Sequence, residues 1–194
     1  MADLVHRGGY AGLGRRVGSG DGVLAVERAG LAAATVIARR GKAGETAARL
    51  GSRFGFAVVD GPKRAVSAVA TVLGTGPGTW FVFGEEDPGF VAGLRAALAG
   101  VAAVVDQSDG QAVLHLSGAR LPELLEKGVR IDLDPARFTP ADVAVTAIAH
   151  IGVTLWKIDA VPTFAVALPR SYAASFRHWL ETSAGPAGLT VMSD

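Results

Sequence analysis

Two blocks of the sequence predict the same order of secondary structure, and this repetition is the strongest constraint on the fold. The first block predicts a strand at 31–40, a helix at 43–54, strands at 66–73 and 79–84, and a helix opened by Asp87-Pro88. The second predicts a strand at 111–117, a helix at 119–128, strands at 143–150, 153–158 and 163–168, and a last helix carrying Tyr172, Phe176, Trp179 and Leu180. Without strict βαβ alternation, this order favours an α+β fold with mostly antiparallel sheets and two similar halves.

The junction of the two blocks lies in the stretch 104–135. Leu114 and Leu116 share one face of a strand, and Leu121 and Leu125 follow at helical spacing. We therefore expect one domain at 23–184, with halves at about 23–103 and 104–184. It is preceded by an arm at 1–22 and followed by a loose tail at 185–194.

Composition excludes several classes of site. The 194 residues contain no cysteine, so disulfides and thiolate chemistry are absent. The 19 basic and 18 acidic residues give a net charge of +1, which argues against nucleic acid or an anionic membrane as partner. A hydrophobic fraction of 49% fits a surface covered by partners, and alanine and glycine enrichment explains it equally well.

Membrane insertion is also disfavoured by the pattern. The longest uncharged run, 65–84, has the length of a membrane span, but the glycines and the proline at 74–78 interrupt it. A hairpin of two buried strands is the better interpretation. The first 22 residues have no apolar segment of a signal peptide, and we expect a cytoplasmic protein.

The N-terminal arm contains seven glycines in 22 residues and is expected to be flexible or laid along another protein. Its basic and aromatic side chains are candidate partner contacts, together with polar groups expected to face outward around the last helix. These candidates are Arg7, Tyr10, Arg15, Arg16, Arg170, Arg177 and His178. RNA contact through the arginines is a weaker alternative.

No motif in the chain predicts a catalytic residue, a cofactor site or a metal site. The glycine-rich segments match neither a dinucleotide fingerprint nor a phosphate loop. The four histidines are far apart in sequence, which favours structural roles. Asp132 and Asp134 are polar enough to bind a cation or act as a base, but this spacing after a helix more often turns the chain.

A series of short runs recurs in a fixed order and spacing from about Thr71 to Ala184: Gly76-Pro77 with Trp80-Phe81-Val82, Val105-Asp106-Gln107-Ser108-Asp109, Leu116-Ser117-Gly118-Ala119-Arg120, Leu124-Leu125-Glu126-Lys127-Gly128, Ile131-Asp132-Leu133-Asp134-Pro135 with Phe138, Trp156, Pro162-Thr163-Phe164, Arg170-Ser171-Tyr172 and His178-Trp179-Leu180. In the order and spacing of these runs the chain resembles the gamma subunit of heterotetrameric sarcosine oxidase. Gly78-Thr79 departs from the family pattern, which has acidic residues there.

The resemblance implies a fold like the folate-binding domain of the glycine-cleavage aminomethyltransferase. It also implies a non-catalytic gamma subunit that supports oxidation of sarcosine or a related N-methyl amino acid. In such complexes FAD, FMN, NAD and tetrahydrofolate belong to the alpha, beta and delta partner subunits, so no cofactor is expected in this chain.

Two alternatives remain open from the sequence. A free-standing folate-binding or one-carbon-transfer protein of the same fold would use Asp132 or Asp134 as its polar anchor. A scaffold or RNA-associated module would use the glycine- and arginine-rich arm.

Overall fold

In a computed structural model of the chain, the structure is described for residues 9–10, 15–17, 22–185 and 188–193. Within these ranges the strands are β1 (Arg15–Val17), β2 (Val23–Glu27), β3 (Leu31–Ala38), β4 (Arg64–Val66), β5 (Thr71–Gly76), β6 (Thr79–Glu85), β7 (Ala102–Asp106), β8 (Gln111–Ser117), β9 (Val143–Ile148), β10 (Ile151–Lys157), β11 (Phe164–Pro169) and β12 (Leu189–Ser193). The helices are α1 (Ala43–Phe54), α2 (Phe90–Ala97), α3 (Leu121–Glu126) and α4 (Ala173–Ala184), and a 3-10 turn at Arg170–Tyr172 precedes α4.

Sheet I is built from one continuous stretch, 31–106. Its five strands lie in the order β4-β5-β6-β3-β7, and every neighbouring pair is antiparallel. Helices α1 and α2 cover one face and bury Leu50 and Leu94 against β3 and β6. Helix α1 ends because Gly55 adopts a left-handed conformation (φ 77°), from which its N–H reaches the Gly51 carbonyl.

Sheet II combines the second half of the chain with strands from both chain ends. Its order is β1-β12-β2-β8-β11-β10-β9, and β12 pairs with β2 in parallel. Helices α3 and α4 cover one face, where Leu121, Phe176 and Leu180 are fully buried.

The two sheets pack on each other through their remaining faces. Phe83 of sheet I meets Trp156 of sheet II with ring centroids 5.7 Å apart. Along one side, β4 and β9 approach edge to edge, and Lys63 forms an ion pair with Asp142 across this seam. The fold is thus four layers, with helices outside and two sheets inside.

The predicted fold class is confirmed, because the chain is α+β with mostly antiparallel sheets. The predicted boundaries change in places. The expected strand at 66–73 is two strands, β4 and β5, because Ser67 accepts a hydrogen bond from the Val69 N–H and the chain turns there. Strand β9 ends at Ile148, because Ala149 and His150 adopt positive φ in the hairpin turn.

The chain ends differ most from expectation. The tail predicted to be loose contributes β12, whose Leu189 and Val191 are buried against the helices. Strand β1 of the predicted arm pairs with β12, so this part of the arm lies along its own domain. The expected boundary of the halves also shifts, because β7 pairs with β3 in sheet I and β2 joins sheet II.

Candidate subunit interface

The N-terminal turn places Tyr10 inside the domain. Its side chain is 1% exposed and belongs to the core beneath α4, and its backbone N–H donates to Glu27 Oε2 at 3.0 Å. Burial, followed by the charge of Glu27, raises the pKa of the Tyr10 phenol well above its usual value. Tyr10 is therefore not a surface contact, contrary to expectation.

Arg170 and Arg177 lie beside this turn and are largely occupied by contacts within the chain. Arg177 Nε donates to Glu181 Oε1 at 2.8 Å, and its side chain is only 16% exposed. Arg170 Nη1 lies 3.9 Å from Asp109 Oδ1, and its backbone N–H donates to the Gly110 carbonyl. Arg177 thus pairs within α4, and Arg170 lies near the turn between β7 and β8, where the sequence pattern predicts free outward-facing charges.

The other predicted contacts are distributed over separate elements. His178 is exposed on α4, next to Arg177 but on a different face. Arg15 and Arg16 belong to β1, at one edge of sheet II. Arg7 lies outside the described residues. The structure therefore does not gather the candidates that lie within the described ranges into one surface.

An apolar surface that the motifs do not indicate lies at the β12 end of sheet II. Met192 pairs with Val26 in the β12–β2 register, and Leu24 lies two residues earlier on the same face. Met192 is 49% exposed, and Leu24 and Val26 are half-buried. We name Leu24, Val26 and Met192 the outer strip. It continues the sheet face that meets sheet I, but sheet I does not extend this far.

The outer strip has a sequence signal that is easy to overlook. Leu189, Thr190, Val191 and Met192 alternate as a strand does, with Leu189 and Val191 facing the helices. Because this run is short and follows glycine and proline, the sequence predicts a loose tail there. The outer strip is recognised only from the pairing of β12 with β2.

A polar cleft lies between the two sheets, with a volume of about 220 Å³. Arg28 Nη2 pairs there with Glu85 Oε1 at 3.0 Å. Arg64 Nη1 donates to the carbonyls of Lys157 and Ile158, and burial lowers the pKa of this guanidinium. These side chains join the ends of the sheets to each other, which accounts for their position.

A larger cavity, of about 610 Å³, lies beneath the loop 129–135. Asp132 and Asp134 stand on this loop and mainly shape it. Asp132 Oδ1 accepts from the Asp134 N–H at 2.9 Å, and Asp134 Oδ1 accepts from the Ala136 N–H at 2.8 Å. Both carboxylates thus make the turn contacts that their spacing predicts.

The described ranges contain no cluster of three or more histidine or acidic side chains arranged to hold a metal ion. None of their helices is long and apolar enough to cross a bilayer.

The fold is similar to that of two solved structures. The structure superposes on aminomethyltransferase T of the glycine cleavage system from Bartonella henselae with a TM-score of 0.59 and 10% identity, covering 89% of this chain and 48% of that one. It superposes on a chain of heterotetrameric sarcosine oxidase from Corynebacterium sp. U-96 with a TM-score of 0.81 and 24% identity, covering 94% and 96%. The predicted likeness to the aminomethyltransferase fold is confirmed.

Sequence comparison defines the family. Residues 64–185 match the sarcosine oxidase, gamma subunit family. The gamma subunit of sarcosine oxidase from Arthrobacter sp. is 31% identical over 142 residues, which are 72% of this chain and 69% of that protein. The gamma subunit from Corynebacterium sp. (strain P-1) is 34% identical over 111 residues, covering 56% and 54%. The chain belongs to the sarcosine oxidase gamma subunit family, as its sequence motifs predict.

Proposed function

We propose that this chain is the gamma subunit of a cytoplasmic, heterotetrameric, flavin-dependent oxidase that demethylates sarcosine or a related N-methyl amino acid. The observation that carries the proposal is the family match over residues 64–185. The alpha, beta and delta subunits are its partners, and FAD, FMN, NAD and tetrahydrofolate bind to those subunits. This chain supports their assembly and contributes no catalytic residue.

The outer strip is the surface proposed to meet a larger subunit. Its three side chains are apolar, and one of them, Met192, is half exposed on a flat sheet face. Covering these apolar groups with a partner stabilises the complex by about 25 cal/mol per Å² of apolar surface buried.

Co-expression tests the proposal. The partner subunits are produced with and without this chain, and sarcosine-dependent oxygen consumption and bound flavin are measured. We expect the preparation with all four subunits to be active. The preparation without this chain should assemble poorly and contain less bound flavin. Equal assembly and turnover without this chain would contradict the proposed role.

The folate-binding alternative would use Asp132 or Asp134, each of which accepts a hydrogen bond from its own loop, and this contact favours a turn role for both. Titration of the isolated chain with tetrahydrofolate separates the two functions. The subunit role predicts no saturable binding to this chain, whereas micromolar binding would favour the alternative.

A further inference from the structure

Lys157 is a buried cation on the helix-covered face of sheet II. It is the last residue of β10 and pairs with Phe164 of β11. Side chains alternate along the strand, so Lys157 shares the face of Leu155, which belongs to the core beneath the helices. Only 3% of its surface is exposed.

The ammonium of Lys157 has no partner in the part of the chain that the structure describes. The backbone carbonyl of Lys157 accepts from Arg64 Nη1 at 3.1 Å, but no hydrogen bond or ion pair reaches Nζ there. Most of the Lys157 side chain is covered, and the residue lines the cavity beneath loop 129–135. An ammonium without a partner in the protein is therefore available to pair with an anion that enters this cavity.

The cavity that Lys157 lines is suited to a small ligand. Its volume of about 610 Å³ falls within the usual range for small-molecule sites, roughly 300–1,000 Å³. The loop above it alternates, with Val129, Ile131 and Leu133 half-buried against the core. Phe164 forms a further wall. The ligand body that fits these walls is apolar.

The mouth of the cavity restricts the charge of the ligand. Glu126, Asp132 and Asp134 line the cavity and are themselves exposed, so they lie toward solvent. The repulsion from these carboxylates grows with the number of negative charges on a ligand, so among anions a ligand with a single carboxylate is disfavoured least. The ammonium of Lys157 pairs with that carboxylate.

We propose that the cavity beneath loop 129–135 binds a small monocarboxylic acid, with its apolar body against Val129, Ile131, Leu133 and Phe164 and its carboxylate on Lys157 Nζ. This site is separate from the outer strip and does not depend on the assigned subunit role. In this arrangement the ligand carboxylate is the partner of the Lys157 ammonium.

Calorimetric titration of the full chain with 3-phenylpropanoate and 4-methylpentanoate tests the proposal. We expect saturable binding of at least one acid, and binding of its neutral amide to be at least about tenfold weaker, because a charge-assisted hydrogen bond is lost. Lys157→Met should lower affinity for the acid by at least about tenfold.

Lys42→Met is the matched control, because Lys42 is exposed on the opposite half of the molecule, beside Glu45. It should leave acid binding unchanged. No saturable binding of either acid, equal binding of acid and amide, or retained affinity in Lys157→Met would each overturn the proposal. Loss of acid binding when the chain is assembled with its partner subunits would assign the cavity to a partner's acidic side chain and also overturn it.

Discussion

Sheet I and sheet II differ in how much of the chain each one needs. Sheet I takes all its strands from 31–106, so its core forms from one continuous segment. Sheet II joins 111–169 to β2 from one chain end and β12 from the other. A sheet built from one continuous segment can be predicted from local sequence patterns. A sheet that includes strands from both chain ends depends on contacts between residues far apart in sequence.

The two sheets also differ in the candidate functional features that they carry. The outer strip and the Lys157 cavity both lie in sheet II or on the loop against it. Sheet I contributes the inner face that supports sheet II through Phe83 and Trp156. We therefore expect changes at the chain ends to affect both stability and assembly, and changes within sheet I to affect stability first.

Ending the chain at Gly185 should have the largest effect. It removes β12 and exposes the core that Leu189 and Val191 cover, which at about 1.5–3 kcal/mol for each side chain amounts to about 3–6 kcal/mol. Urea unfolding followed by circular dichroism should show a largely unfolded chain. Met192→Ala, on the exposed face of the same strand, should stay close to the unmodified stability. A truncated chain of full stability would show that sheet II does not need the chain end.

Gly74→Ala should be the most damaging small change within sheet I. The Gly74 N–H donates to the Lys63 carbonyl, and an added Cβ would overlap the Gly61 carbonyl oxygen. The backbone must shift, at a cost of about 1–3 kcal/mol in the free energy of unfolding. Gly76→Ala is the control in the same strand, since its nearest neighbour would be Thr79 Cβ at 4.0 Å. Equal stability of the two variants in urea unfolding would contradict the close packing at Gly74.

The seam between the sheets should make a smaller, pH-dependent contribution. Hydrogen bonding to Lys63 lowers the pKa of Asp142 from 3.8 to about 2. Its contribution is therefore complete above pH 3.8 and is lost as the pH falls through 2. Since Lys63 is half exposed and screened by solvent, Asp142→Asn should cost only about 1 kcal/mol at neutral pH.

Unfolding measured along a pH series checks the sign of this effect. The difference between Asp142→Asn and the unmodified chain should shrink as the pH falls. Glu123→Gln, which breaks an exposed pair with Arg120, should cost less at neutral pH. A difference that grows toward low pH would contradict the ion pair across the seam.

Met192→Glu should change stability least and assembly most. The side chain is 49% exposed, so the free energy of unfolding should shift by less than about 0.5 kcal/mol. A charge in the outer strip should nevertheless weaken retention of the larger subunits, because it must be desolvated in a covered interface. Val145→Glu, at a 62% exposed position in the edge strand β9 at the other end of sheet II, is the matched control in a co-elution experiment. Equal retention of the larger subunits by both variants would show that the outer strip is not part of the interface.

Local sequence patterns predict much of both sheets. The alternation of β8 and the stripe of α2 at Val91 and Leu94 are visible in the sequence and buried in the structure. The α2 start is two residues later than predicted, because Asp87 accepts a hydrogen bond from the Gly89 N–H and forms a turn first. Tyr172 precedes α4 and is 51% exposed, although it shares the spacing of the buried Phe176.

The chain ends and the candidate sites are harder to predict from local sequence patterns. Nothing in the local sequence of 189–193 shows that β2 lies beside it, because that pairing joins residues more than 160 positions apart. Tyr10 among glycines indicates a flexible arm, yet tertiary packing under α4 buries it. Lys157 ends an ordinary strand pattern, and only the loop folded over it shows that the cation is covered. The family motifs identify the class of protein but do not locate its contact surfaces.

Purification of the tagged full chain from cells that also produce its partner subunits tests the central claim most directly. The account predicts that larger chains co-elute with it, that the eluate has the visible absorption of bound flavin, and that the chain purified alone is colourless. A colourless, monomeric chain that elutes without partners in their presence would contradict it.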